Sequence, residues 1–263
     1  MIALSWGAGV QSTTLAVMSA LGDLPRLDAI VHADTGWESA ATYAARDWYI
    51  PWLNSHGIPV HIVTAGNIRI TGADTHTHMP LWTTTGGPLN RKCTRHYKIN
   101  PIHRQLRQLA DFHASRPPAP PPASITLWLG ISLDEFTRMK ASHVQYITHH
   151  WPLIDRRMTR NDCADYLITH HLPVPPKSAC IACPYRAASE YLQLAPDERE
   201  DAYQFDEANR HNPNTTQGAD TREIYVWQDL IPLRDVDLAA RARRERKGKQ
   251  LPLMICEEGF CHG

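Results

Sequence analysis

The sequence predicts an α/β protein: a parallel sheet with helices on both faces, followed by a small helical, cysteine-bearing C-terminal extension. Three observations carry this. Short apolar runs alternate with helical patterns over the first third of the chain. A glycine-containing turn joins the first strand to the first helix. Asp34-Thr35-Gly36 ends the second strand. Residues 1–175 are expected to form the α/β domain and residues 176–263 the extension.

The elements follow in order. Met1 to Ser5 reads as a strand, and Gln11 to Leu21 as a helix with Leu15, Val17, Met18 and Leu21 apolar. Leu27 to Ala33 is a buried strand. Glu38 to Ser55 is a helix that Pro51 is expected to kink or end. Ile58 to Val63 is a third strand, and this strand–helix alternation implies parallel pairing. Thr64 to Asn90 lacks periodicity and reads as a long functional loop. Thr94 to Phe112 is helical, interrupted by Pro101. The prolines between Pro117 and Pro122 make a stiff surface linker. Ser124 to Ile131 and Val144 to Ile147 are further strands. Asn161 to His171, Arg186 to Leu194, Pro196 to Arg210 and Leu238 to Lys249 read as helices.

Composition narrows the class without choosing a chemistry. The chain has 263 residues, with 27 Lys and Arg against 27 Asp and Glu. This neutral balance argues against binding nucleic acid by bulk charge. No apolar run approaches the roughly 18 residues of a membrane span. With strand-like residues from Ile2 onward, the chain reads as soluble and cytoplasmic. In that compartment its 6 cysteines are metal ligands, redox centres or core residues rather than disulfides.

The turn Ser5-Trp6-Gly7-Ala8-Gly9-Val10-Gln11-Ser12-Thr13 is the first candidate site. Backbone N–H groups and a helix N-terminus there attract an anion, and Ser5, Ser12 and Thr13 add hydroxyls. A Walker A loop is excluded, because no Gly-Lys-Ser/Thr follows at the required spacing. A dinucleotide fingerprint, Gly7-x-Gly9-x-x-Ser12 with Asp34, is a serious decoy. It lacks the third glycine that brings helix and strand together. A pyrophosphate-holding loop with serines flanking the glycines fits best, and a plain structural turn is the alternative.

Cys180-x-x-Cys183 suits zinc, an iron–sulfur cluster or a redox dithiol, since the spacing lets both thiolates face one centre. Cys163 lies on an apparently amphipathic helix and reads as core. The histidine pairs His149-His150 and His170-His171 point apart rather than toward one ligand, and His76 and His78 are better substrate contacts than ligands. The basic run from Arg241 to Lys249 reads as a solvated helix face, with nucleic-acid phosphate as the alternative.

Together these blocks resemble the PP-loop superfamily of adenine-nucleotide enzymes, within it the phosphoadenosine phosphosulfate (PAPS) reductase-related family and its phage-type and uncharacterised bacterial branch. The resemblance rests on the glycine loop with Asp34-Thr35-Gly36-Trp37-Glu38 and on Arg91-Lys92-Cys93-Thr94 with Lys98-Ile99-x-Pro101-Ile102. It continues through Gly130-Ile131-Ser132-x-Asp134-Glu135-x-x-Arg138, Pro152-Leu153-Ile154 and Thr159-Arg160-x-Asp162-Cys163. It ends at Pro176-Lys177-Ser178-x-Cys180-x-x-Cys183-Pro184, so it covers roughly residues 1–190.

The resemblance implies a HUP-like, Rossmann-like fold that binds an adenine nucleotide, ATP or APS/PAPS. Ser5, Gly7, Gly9, Gln11, Ser12, Thr13, Asp34, Thr35, Gly36, Gly130, Ser132 and Arg138 would surround it. Asp34 is also a catalytic candidate. Where many ATP-cleaving members carry Asp, this chain has Gln11, which offers magnesium no anionic ligand. Cys93, Cys180 and Cys183 would hold a [4Fe–4S] cluster, with zinc as the alternative. Cys256 is the candidate fourth ligand and Cys261 the candidate nucleophile. The tail Cys256-Glu257-Glu258-Gly259-Phe260-Cys261-His262 does not match the Glu-Cys-Gly ending of sulfonucleotide reductases. Three functions follow: ATP-dependent adenylation with sulfur transfer to an unknown acceptor, reduction of APS or PAPS to sulfite, or a metal-stabilised nucleotide-binding module of a larger complex. A homodimer is compatible with each.

Overall fold

The computed structural model describes residues 1–70, 79–84, 87–111, 121–212 and 223–246. Its centre is a five-stranded, wholly parallel sheet, as the alternating pattern implies. The strands are β1 (Ile2–Ser5), β2 (Ala29–Asp34), β3 (Val60–Thr64), β6 (Ile125–Leu129) and β7 (Ile147–His150), in the order β3-β2-β1-β6-β7. Register is fixed by pairs such as Ser5 with Val31 on one side and Ser5 with Leu129 on the other. The chain builds outward from β1 to β3, then returns to add β6 and β7 on the opposite side. The crevice between β1 and β6 is therefore the point where an open α/β sheet takes its ligand.

Side chains alternate between the two buried faces of the sheet, as strands covered on both sides require. Leu4, Ile30 and Trp128 pack with helices α1 (Val10–Leu21), α2 (Ala40–Ser55), α4 (Pro152–Asp155) and α5 (Arg160–Thr169), through Leu15, Tyr49, Leu53, Leu153, Cys163 and Leu167. Ala3, Val31, Leu127 and Leu129 face Ile102 and Leu106 of α3 (Asn100–Leu109). Helices thus cover both faces. Among the described residues no helix is long and apolar enough to cross a membrane.

Several elements differ from the sequence expectation, each for a local reason. Pro51 lies inside α2 and does not end it. The strand expected at Val144 to Ile147 runs over Ile147–His150 instead. Val144 is held in a turn by Ser142, whose Oγ accepts from Val144 N at 3.0 Å. The expected Thr94 to Phe112 helix opens as a π-helical turn, Thr94–Ile99, before α3 begins. Pro101 falls in the first turn of α3, where its missing N–H leaves no bond unmade. The long loop from Thr64 contains β4 (Trp82–Thr83) and β5 (Gly87–Pro88), and β4 pairs antiparallel with β8 (Ile224–Tyr225). Strands of two residues carry no periodicity that a sequence reading can detect.

A second core forms around this small sheet. Trp37, Ile68, Met79, Leu81 and Tyr97 pack there with Ile181, Tyr191, Phe205 and Trp227. Helices α6 (Ala188–Leu192), α7 (Pro196–Asn209) and α8 (Leu238–Arg246) belong to it. Both segments divided at residue 175 by the sequence reading therefore contribute to one core. His76, His78, Pro117, Pro118, Pro120, Lys247, Lys249, Cys256 and Cys261 lie outside the described residues.

Candidate functional site

The glycine turn sits at the carboxyl end of β1 and leads into α1. Gly9 is the N-cap of that helix, with no side-chain cap and no acid in the first turn, so the positive end of the dipole is uncompensated. Ser5 Oγ is buried and has no hydrogen-bond partner among the described residues. An unpaired buried hydroxyl costs about 1–3 kcal/mol, which an anion in the crevice would recover. The other hydroxyls shape the loop: Gly7 N donates to Ser12 Oγ at 3.2 Å, and Trp6 Nε1 donates to Thr13 Oγ1 at 2.9 Å. Ala8, rather than either glycine, takes the left-handed conformation at φ 56°. That placement holds about 1–2 kcal/mol of backbone strain in the loop.

The missing third glycine has a counterpart across the crevice. A Cβ built on Gly130, just past β6, would lie 2.7 Å from Ser12 N and 2.9 Å from its Cα. Close approach of helix and strand is therefore supplied from β6 rather than from α1. The segment after Gly130 then folds over the first turn of α1. Gln11 Nε2 donates to Ser132 Oγ at 3.4 Å and to Glu135 Oε2 at 3.2 Å, while Arg160 Nη1 donates to Gln11 Oε1 at 3.0 Å. Arg138 is buried and pairs with Glu135 at 2.7 Å. Burial pulls its pKa down, and Glu135 partly offsets this. Gln11 thus works as a neutral hub between a carboxylate and a guanidinium.

Asp34 is fully engaged by its own motif. Its Oδ1 accepts from Gly36 N at 2.7 Å and Tyr43 OH at 2.9 Å, and its Oδ2 pairs with Arg46 at 3.1 Å. These contacts make it the organiser of the turn after β2. Gly36, at φ 71°, lies so close to Asn67 that a Cβ would sit 3.0 Å from the Asn67 Cα. Past that turn the motif meets the cysteine segment: Glu38 bridges Cys180 in antiparallel fashion, and Ile181 N donates to Trp37 O at 3.0 Å. Thr35 Oγ1 lies 3.5 Å from Cys180 Sγ.

Beyond this seam opens a cleft of about 530 Å³ of empty space, part of it open to solvent. Cys93, Cys180 and Cys183 all line it, with Thr35, Arg91 and Lys98. Cys183 N donates to Cys180 O at 3.1 Å, closing the turn that carries the pair. Burial, and then the Glu38 carboxylate, pushes the Cys180 thiol up to about 12. Lys98 is half-buried, and its desolvation lowers its pKa, but Glu38 and the three sulfurs outweigh this and leave it raised. Among the described residues, no three His, Cys, Asp or Glu side chains stand close enough to form a finished metal site. The donors nevertheless suit a cluster in kind: three sulfurs on one cleft, with a cation beside them.

No family model and no curated protein matches the chain. Among solved structures it is similar to the phosphoadenylyl-sulfate (PAPS) reductase from Candida auris, determined as a phosphate complex. The identity is 11% and the TM-score 0.39, covering 66% of this chain and 74% of that one.

The structure brings Ser5, Gly7, Gly9, Gln11, Ser12, Gly130, Ser132 and Arg138 to one crevice. It brings Thr35, Cys93, Cys180 and Cys183 to the cleft beside it. Cys163 is fully buried on α5, with its thiol pushed up to about 12 by burial. The sequence alone assigns no role to Glu38, Lys98, Ser178 or Arg160. Each stands inside a quoted motif, but only the fold shows that they touch one another or the loop.

Proposed function

We propose that the protein is an adenine-nucleotide enzyme of sulfur chemistry, which activates a carbon–oxygen group with ATP and replaces that oxygen by sulfur. One observation carries the reading. An uncapped helix N-terminus with a buried unpaired serine shares a wall with a cleft lined by three thiols. In the first step an acceptor oxygen attacks the α-phosphorus, the Pα–O bond to the leaving group breaks, and pyrophosphate departs. The N–H groups of the loop and first turn of α1, with Ser5, would hold the developing charge. Gln11 gives magnesium no anionic ligand, so its part is to orient Arg160 and Glu135 over the loop. In the second step a sulfide-level donor attacks the activated carbon, its C–O bond breaks, and AMP leaves. Cys93, Cys180 and Cys183 would hold a [4Fe–4S] cluster, which supplies an open iron position able to bind sulfur.

The cations favour a second reading. Arg91 and Lys98 on the thiol cleft would also suit the sulfate of APS or PAPS. There a cysteine thiolate, Cys261 or Cys256, would attack sulfur and displace the nucleotide phosphate. A second thiol would then release sulfite and close a disulfide.

Protein purified without oxygen would be tested for iron, for pyrophosphate release from ATP with candidate acceptors, and for sulfite release from PAPS. Iron with pyrophosphate release supports the first reading, and sulfite release supports the second. Nucleotide binding with neither product indicates a non-catalytic module. Absence of both iron and nucleotide binding would sink the enzyme readings together.

A further inference from the structure

We propose that Ser178, Glu38 and Lys98 form a positioning relay that transmits occupancy of the phosphate loop to the thiol cleft. The inference rests on the nucleotide reading above and adds the physical link between its two halves.

The first contact is at the loop itself. A Cβ built on Gly9 would lie 3.6 Å from Ser178 N and 3.7 Å from Ser178 Cβ, so residue 178 packs directly on the loop. A phosphate entering at the N-terminus of α1 meets this segment. The second contact is the Ser178 hydroxyl, which donates to Glu38 Oε2 at 2.6 Å. The third is the other Glu38 oxygen, Oε1, which stands 3.5 Å from Lys98 Nζ. Lys98 lines the cleft together with the three cysteines. Each carboxylate oxygen of Glu38 therefore serves a different site, one toward the loop and one toward the thiols.

Burial makes this chain stiff. Ser178 is 1% exposed and Glu38 3%, so neither can exchange its partner for bulk water at low cost. Residues 173–180 are pinned at both ends: Tyr49 OH donates to Pro173 O at 2.5 Å, and Cys180 bridges Glu38. A displacement at Ser178 thus has one buried outlet, the Glu38 carboxylate. Glu38 is a positioning residue in this scheme, since it touches neither nucleotide nor acceptor. Packing alone would explain a buried ion pair, but not why its two oxygens divide between the two sites.

Hydrogen exchange of the full chain as purified, with and without ATP, tests the relay. The wild type should slow on ATP addition in residues 5–14, 176–184 and 93–99. Ser178→Ala should keep the response at 5–14, with affinity within about threefold, and lose most of it at 176–184 and 93–99. Glu38→Gln keeps an acceptor for Ser178 but drops the charge, so it should respond at 176–184 and not at 93–99. Ser178→Thr retains the hydroxyl and should restore the response, and it carries the test if the alanine variant does not fold. A wild type that responds at 5–14 alone would overturn the relay and leave the nucleotide reading intact. So would a Ser178→Ala protein that responds as the wild type does. No response at 5–14 in the wild type would instead remove the nucleotide reading itself.

Discussion

The glycine turn proposed to hold phosphate is one continuous turn between β1 and α1, built from backbone and small side chains. The thiol cleft beside it takes Cys93 from the cap of the π-helical turn before α3, and Cys180 and Cys183 from a segment far along the chain. One site is specified mainly within a single strand-to-helix turn, against which Gly130 and Ser178 pack. The other exists only when the second core, with Trp37, Tyr97 and Ile181 in it, has packed. Locally built sites tolerate changes at a distance, whereas assembled sites inherit the stability of every segment that contributes. The two should therefore fail differently when the protein is perturbed.

The largest effect is expected at Cys180. If the three thiols hold a metal as proposed, replacing Cys180 by alanine should reduce bound iron or zinc to background, because two thiols cannot keep what three hold. ATP affinity should remain within about threefold. Cys163→Ala is the matched control. It should leave metal content unchanged and lower stability by about 1 kcal/mol, as expected for a small buried group. Metal analysis and urea unfolding of both variants decide the point. Metal lost from Cys163→Ala and kept by Cys180→Ala would overturn the ligand assignment.

The converse perturbation is Gly130→Ala. Its new Cβ would stand 2.7 Å from Ser12 N, where only backbone movement can make room. Such overpacking costs about 1–3 kcal/mol and would pull the first turn of α1 away from the crevice. ATP affinity by calorimetry should fall on the order of tenfold or more, with metal content retained. Unchanged ATP affinity would show that the crevice between β1 and β6 is not the nucleotide site.

The same contrast explains what a sequence reading can reach. The parallel sheet, both helical layers and the glycine turn are legible, because alternating apolar runs and turn residues encode them locally. The close approach at Gly130 is not, since it depends on which strand stands beside β1. Nor is the partnership of Glu38 with Ser178 and Lys98, which joins three motifs across the fold. Strands β4, β5 and β8 are too short to show a period, and the core around them is assembled from both halves of the chain. Pro51 and Pro101 mislead for the opposite reason: one is absorbed within a helix, and the other falls at a helix start.

Acid should weaken the fold through two imidazoles shielded from water. His32 lies under the phosphate loop, its Nδ1–H donating to Trp6 O at 2.9 Å, and burial lowers its pKa. His103, on α3 beyond the π-helical turn, is lowered to about 4 by burial and by His149. Each is held neutral in the native state while the unfolded chain binds a proton below about 6.5. Stability is therefore fully present above that pH and falls as pH drops toward 4. For His103 the loss is up to about 3 kcal/mol. Urea unfolding at several pH values should show this slope, and His103→Gln should flatten it. A wild-type stability that holds constant from pH 7 to 4 would refute the assignment.

The smallest effect separates the two sites most finely. Asp201, on α7, accepts from Trp37 Nε1 at 2.6 Å and pairs with Arg69 at 2.6 Å. Glu198, one turn earlier, accepts from Ala40 N at the start of α2, also at 2.6 Å. The second core thus grips both ends of the segment that bridges Cys180, without touching the phosphate loop. Asp201→Asn retains an acceptor for the indole and loses the ion pair, so its cost should be about 1 kcal/mol or less. That cost should appear on one side only. The metal proposed for the thiol cleft should dissociate faster under a chelator by about threefold, with ATP affinity unchanged within error. Equal losses at both sites would mean that loop and cleft share one local stability. A loss confined to the cleft would show that it is held by the second core, and that the loop is held by β1, α1 and the contact with Gly130 instead.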